Sequence, residues 1–111
     1  PRVVGRGYGK ELIYTGQMID AQEAYRIGLV NKVVPQEQLM EEVMKTAKGI
    51  ASKGTVAVNL SKAAINRGIN CDVITGIAYE AEVFGLCFAT EDQKEGMQAF
   101  VEKRKAVFKG K

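Results

Sequence analysis

The sequence predicts a mainly α fold on two observations: helix-capping signatures recur along it, and the apolar residues between them return at helical spacing. One stretch alone has the β-branched content of a short strand. The opening PRVVGRGYGKELIYTG sets Gly5, Gly7 and Gly9 close together before an apolar run, which predicts a turn at the glycines and a short helix from about Lys10 to near Gly16. Asp20 is placed to cap a second helix, with Glu23 reaching back to the cap amide and Ile19 as the apolar staple. Gly28 falls where a left-handed residue ends a helix; LVNKVV then reads as the strand, and Pro35 opens the next helix. In that helix Leu39, Val43, Ala47 and Ile50 follow at helical spacing, which predicts a buried stripe.

SKGT breaks the pattern, and Thr55 is the expected cap of VAVNLSKAAINRG. Gly68 and Asn70 end that helix, and Asp72 caps another in which Ile77, Ala81, Phe84 and Phe88 share one face. Thr90 with Gln93 repeats the capping pattern, with Glu91 and Asp92 in the first turn, where the helix dipole favours acids. The last helix carries Met97, Phe100, Val101 and Arg104 on neighbouring faces. The sum is about six helices and one strand, without internal repeats or low-complexity linkers.

At 111 residues and 46% apolar, the chain is long enough for one domain with a core. Its net charge of +3 is small for a protein that coats a polyanion, so no nucleic-acid partner is expected. No apolar run approaches the length of a membrane span and no signal-peptide pattern opens the sequence, so no membrane partner is expected and the cytoplasm is the expected location. Pro1 stands where an initiator Met would, which reads as a piece of something longer. Histidine is absent, which excludes every mechanism that needs an imidazole from this chain. Cys71 and Cys87 lack metal-ligand spacing and are expected to be buried free thiols, with no metal site.

Few residues look chemical. G-R-G-Y-G is neither a dinucleotide fingerprint nor a phosphate loop, and no strand precedes it. The acidic pairs Glu41 with Glu42, Glu80 with Glu82, and Glu91 with Asp92 do not share a helix face, so they read as solvated charges. Met40 and Met44, one turn apart, read as core. The basic end stands out: Lys103, Arg104, Lys105, Lys109 and Lys111 fall in the last nine residues. Taken alone, cations in the last turn of a helix complement its dipole and need no ligand.

Two ordered motifs carry a resemblance. LIYTGQMIDAQEAYRIGLVNKVVP, with T-G, a capped helix bearing A-x-E-A, then G-L-V, resembles the C-terminal part of crotonase-type enoyl-CoA hydratases. FATEDQKEGMQAFVEKRKAVFKGK is similar to that family's final helices over its whole length, and the match covers essentially the entire chain. LSKAAINRG and YEAEVFGLCFATEDQKEGM look most like bacterial crotonases that act on short 3-hydroxyacyl-CoA substrates in butyrate-type metabolism.

The resemblance implies that residues 1–111 are the helical, trimerising region of the crotonase fold, with the catalytic spiral domain absent. It implies a lyase that adds water reversibly across the 2,3 double bond of an enoyl-CoA thioester, using two glutamates and an oxyanion hole of two backbone amides. All of these lie upstream of Pro1, so no catalytic residue is assigned here and the chain alone is expected to be inactive. No cofactor is implied, since the CoA thioester is the substrate. The expected partners are that acyl-CoA and sister subunits, as a trimer or pair of trimers in the intact enzyme and as self-association of the chain by itself. On the family pattern Lys103 meets the 3′-phosphate of CoA bound in a neighbouring subunit, while Phe84 and Phe100 flank the adenine. Helix-face core is the competing reading of both rings. A free-standing helical oligomerisation module is the rival from another class, and an isomerase or decarboxylase of the same superfamily stands nearer.

Overall fold

Side-chain caps set three of the helix starts. The Glu23 amide donates to Asp20 Oδ1 at 2.8 Å, the Thr75 amide to Asp72 Oδ1 at 2.9 Å, and the Gln93 amide to Thr90 Oγ1 at 3.1 Å. Each bond satisfies an amide that the first turn leaves without an intrahelical partner. The computed structural model describes residues 1–111 as α1 (Arg6–Thr15), α2 (Ala21–Arg26), a 3₁₀ turn (Gln36–Gln38) running into α3 (Leu39–Ala51), α4 (Thr55–Gly68), α5 (Val73–Cys87) and α6 (Glu91–Val101). The chain falls into two compact units, Pro1–Glu42 and Val43–Lys111.

In the first unit α1 begins at Arg6, four residues before the predicted start, with Gly5 as its cap. Gly7 and Gly9 are helical rather than in a turn, and Gly9 is buried against Pro1, whose Cα lies only 3.0 Å from where a Cβ would stand. Close packing thus offsets the low helix propensity of glycine. Glu23 does not reach back to the cap of α2; its carboxylate turns instead to Arg26 and Tyr8.

The expected strand at residues 29–34 does not form. A strand needs a paired neighbour for its amides and carbonyls. Here the amides of Leu29 and Val30 instead turn back to Ala24 O, at 2.8 and 3.3 Å, closing the end of α2. Pro35 is followed by a 3₁₀ turn before the α-helix proper.

The stripe on α3 is present but not buried: Leu39, Val43 and Ile50 are each about half exposed, as is Met44, and Met40 is more exposed still. The one pair of helices in extended contact is α4 with α5, and α3 shares only an open cleft with α4, between Ile50 and Val58 among others. The buried apolar residues are Ala24, Val83 and Ala99. Periodicity marks the apolar face of a helix, and what lies against that face is a separate matter.

In the second unit Gly54, not Thr55, caps α4. On α5 the rings of Phe84 and Phe88 meet edge to face at 5.2 Å between centroids, and α6 then departs at 78°. No single helix is long and apolar enough to cross a membrane. Cys71 and Cys87 are free thiols, but each is only half-buried, since both sit at the ends of α5 where cover is thin.

Helix α6 ends at Val101, earlier than the predicted helix through Arg104, and carries no basic residue in its last turn. It closes as α2 does. At α2, the Gly28 amide donates to Tyr25 O at 3.1 Å and Leu29 to Ala24 O. At α6, the Lys103 amide donates to Phe100 O at 3.3 Å and Arg104 to Ala99 O at 3.0 Å. Both turns need a left-handed residue, with φ 75° at Gly28 and 55° at Lys103, which is the only non-glycine residue of the chain with positive φ.

The two turns therefore respond oppositely to substitution. Gly28→Ala is expected to lose about 1 kcal/mol and Lys103→Gly to gain a similar amount, because a Cβ in this conformation costs roughly 1–2 kcal/mol. Equilibrium denaturation measures both, and a destabilising Lys103→Gly would contradict the left-handed turn.

Candidate functional site

Residues 102–111 carry the five cations, and they do not extend the helix. They return along α6 towards its N-terminus, held by two carboxylates one turn apart. Asp92 accepts the Lys109 amide on Oδ1 at 2.6 Å and the Gly110 amide on Oδ2 at 2.8 Å, while its own amide donates to Lys111 O at 3.0 Å. Successive amides that include a left-handed residue form an anion cradle, and Gly110 at φ 76° supplies that residue. Asp92 is 5% exposed, and its charge is tolerated there because both oxygens accept amide donors.

Glu95 holds the near end of the segment. Its Oε1 accepts Arg104 Nη1 at 2.7 Å and the Val107 amide at 2.8 Å, and its Oε2 accepts Arg104 Nη2 at 2.9 Å. Between the two anchors Phe108 lies against Gly54 and Gly96, where a Cβ would come within 3.8 and 3.5 Å of its ring. Both separations are ordinary van der Waals contact, so the ring packs over the two backbones without needing glycine there.

This geometry removes the helix-dipole reading of the basic end, since the cations lie beyond the helix. Arg104 is committed to Glu95 and Glu102, and Lys111 lies 3.6 Å from Glu91. The other three cations, Lys103, Lys105 and Lys109, are exposed, and their ammonium groups make no ion pair.

Of the three residues singled out from the sequence, Lys103 and Phe100 are joined by the bond that closes α6. Phe100 is 83% exposed, so it is not core within this chain. Phe84, 63% exposed, stands apart with Phe88 as its ring partner. It borders an apolar cleft of about 480 Å³ between α4 and α5, with Leu60, Ile65, Ile77 and Val83 among its walls.

An ion-pair cluster around Glu23 lies in the first unit. Glu23 accepts Arg26 Nε and Nη2, each at 2.6 Å, and the Tyr8 hydroxyl. The Arg26 guanidinium, with help from Tyr8, holds the Glu23 carboxyl at about 2; the Arg104 guanidinium, with the Val107 amide, does the same for Glu95, also to about 2. Arg104 and then Gln98 hold Glu102 below its ordinary range as well. Tyr8, donating to Glu23, is raised. A carboxyl that ionises near 2 is a poor proton donor or acceptor at neutral pH, so Glu23 and Glu95 are structural anchors. No group of three or more His, Cys, Asp and Glu side chains is arranged to hold a metal ion.

Sequence reasoning missed Asp92 and Glu95 as anchors. Both were visible as acids at helical spacing ahead of a basic segment, but nothing local says that the segment turns back.

The array is α-helical, with large apolar side chains left exposed on α3 and α5. The chain belongs to the enoyl-CoA hydratase/isomerase family, whose family model matches residues 1–111. It is 60% identical over 108 residues to the crotonyl-CoA hydratase of Syntrophomonas wolfei, covering 97% of this chain and 42% of that protein. It is 58% identical over 104 residues to the short-chain-enoyl-CoA hydratase of Clostridium acetobutylicum, covering 94% of this chain and 40% of that one. The crystal structure of an enoyl-CoA hydratase from Bacillus anthracis matches all of this chain with a TM-score of 0.97 and 48% identity, over 43% of its own length. The chain thus spans well under half the length of each of these relatives.

The depressed carboxyls fix a pH dependence. For Glu23 and Glu95 the folded value, about 2, lies below the ordinary 4.5, so their contribution to stability is full above about 4.5 and disappears as pH falls towards 2. Thermal denaturation between pH 6 and about 2 is expected to show this loss, and Glu23→Gln with Glu95→Gln is expected to flatten it. An acid limb unchanged in the double variant would contradict the assignment.

Proposed function

We propose that this chain is the helical, CoA-contacting and subunit-contacting region of a cytoplasmic short-chain 2-enoyl-CoA hydratase, a lyase that adds water reversibly across the 2,3 double bond of the thioester. The observation that carries this reading is the 60% identity to a crotonyl-CoA hydratase across nearly the whole chain. Lys103 serves as the contact to the CoA 3′-phosphate, and Phe100 and Phe84 as the rings beside its adenine. Supporting this, Lys103 is unpaired and fixed at the backbone, and both rings are exposed where core residues would be covered.

Acid-base catalysis and the oxyanion hole belong to the part of the family fold outside these residues. The salt-bridged state of Glu23 and Glu95 agrees with that division of labour. No cofactor is required, since CoA enters and leaves as the thioester. The exposed apolar faces of α3 and α5 fit burial against the catalytic region and sister subunits in a trimer or pair of trimers, because patches of this kind are rarely left open to water.

In the intact enzyme, Lys103→Ala is expected to weaken binding of a CoA thioester by about 1 kcal/mol, roughly fivefold, with little change in kcat, because the contact is remote from the reacting carbons and nearly equal in ground and transition states. The loss is expected to vanish with the 3′-dephospho substrate, and Lys105→Ala is expected to have no comparable effect. An equal penalty on both substrates would exclude the phosphate contact.

A further inference from the structure

We infer that Glu95 is a positioning residue for CoA recognition: by forking Arg104 and holding the Val107 amide, it fixes the turn that presents Lys103. This inference rests on the reading of Lys103 as the phosphate contact.

Lys103 stands between two restraints. On the helix side its own amide and that of Arg104 close α6 onto Phe100 O and Ala99 O. On the other side the Glu95 carboxylate takes three donors, two from Arg104 and one from Val107. The flanking residues are also tied to each other, with Arg104 Nε donating to Glu102 Oε2. An L-residue holds a left-handed conformation only where its surroundings over-determine it. At Gly28 glycine itself supplies the freedom, whereas at Lys103 the fork of Glu95 and Arg104 supplies the restraint. Lysine at a position that favours glycine thus carries its side chain from a fixed backbone point beyond the helix end.

Glu95 is placed to act on Lys103 while the far end of the segment has its own anchor. It lies past the first turn of α6, where the dipole gives an acid little advantage. The far end of the returning segment is held separately by Asp92 through Lys109 and Gly110, with Phe108 seated between. Loss of the Glu95 fork therefore frees the turn while the segment stays tethered.

The experiment is a double-mutant cycle in the intact enzyme with crotonyl-CoA, using Glu95→Gln, which keeps the side-chain size and opens the fork, against Lys103→Ala. Because Glu95 acts only through Lys103, Glu95→Gln is expected to raise KM by about twofold to fivefold, with kcat changed less than about twofold, and to add nothing in the Lys103→Ala background. Arg104→Lys, which keeps the cation but loses the planar fork, is expected to behave the same way and serves if Glu95→Gln does not fold. An unchanged KM in Glu95→Gln, or an equal rise in both backgrounds, overturns the positioning role while leaving the phosphate contact standing. A Lys103→Ala enzyme with unaltered KM overturns the phosphate contact, and the positioning role with it.

Discussion

The second unit depends on one arrangement: two carboxylates on α6 gather the amides and the guanidinium of the chain that follows it. Without Asp92 and Glu95, the segment from Glu102 onward would be a basic, lysine-rich tail with little reason to order. With them it lies along the helix, Phe108 reaches Gly54 and Gly96, and the start of α4 is tied to the end of the chain through Gly110, which packs near Thr55. The bonds are charge-assisted, and Asp92 is screened from water, which makes them stronger than an exposed ion pair of similar length.

This arrangement also explains how the basic end divides its labour. Arg104 and Lys111 are spent on acids of α6, while Lys103, Lys105 and Lys109 are left without ion pairs, Lys103 at the point where the chain reverses. Under the proposed CoA contact, a lysine carried on a fixed backbone turn loses less freedom on binding than one on a flexible tail. The same economy runs through the acidic side chains. Glu23 and Glu95 are held ionised by arginines, which suits anchoring and unsuits them for proton transfer.

Much of the fold was legible because its signals are local. Asp20, Asp72 and Thr90 cap amides three residues ahead, and Gly28 closes α2, so each was readable from a few letters. The family, too, was legible, from two motifs at opposite ends of the chain that the family match over residues 1–111 bears out. What was not legible depends on partners distant in sequence. Lysine at position 103 gives no helix-stop signal, so the last helix was drawn too long. Its left-handed turn is stabilised from Glu95, and the return of the tail rests on Asp92 meeting residues 109 and 110. The α3 stripe and the strand failed for a related reason: a pattern of side chains shows what a segment is suited to pack or pair with, and the partner must come from elsewhere.

Amide hydrogen exchange on the full protein carrying this chain tests the carboxylate-held return most directly. The amides of Val107, Lys109 and Gly110 are each bonded to a side-chain carboxylate of α6 rather than to water, so they are expected to exchange far more slowly than an unfolded chain, in step with the amides of α6 itself. Exchange of these three at unfolded-chain rates while α6 remains protected would contradict it.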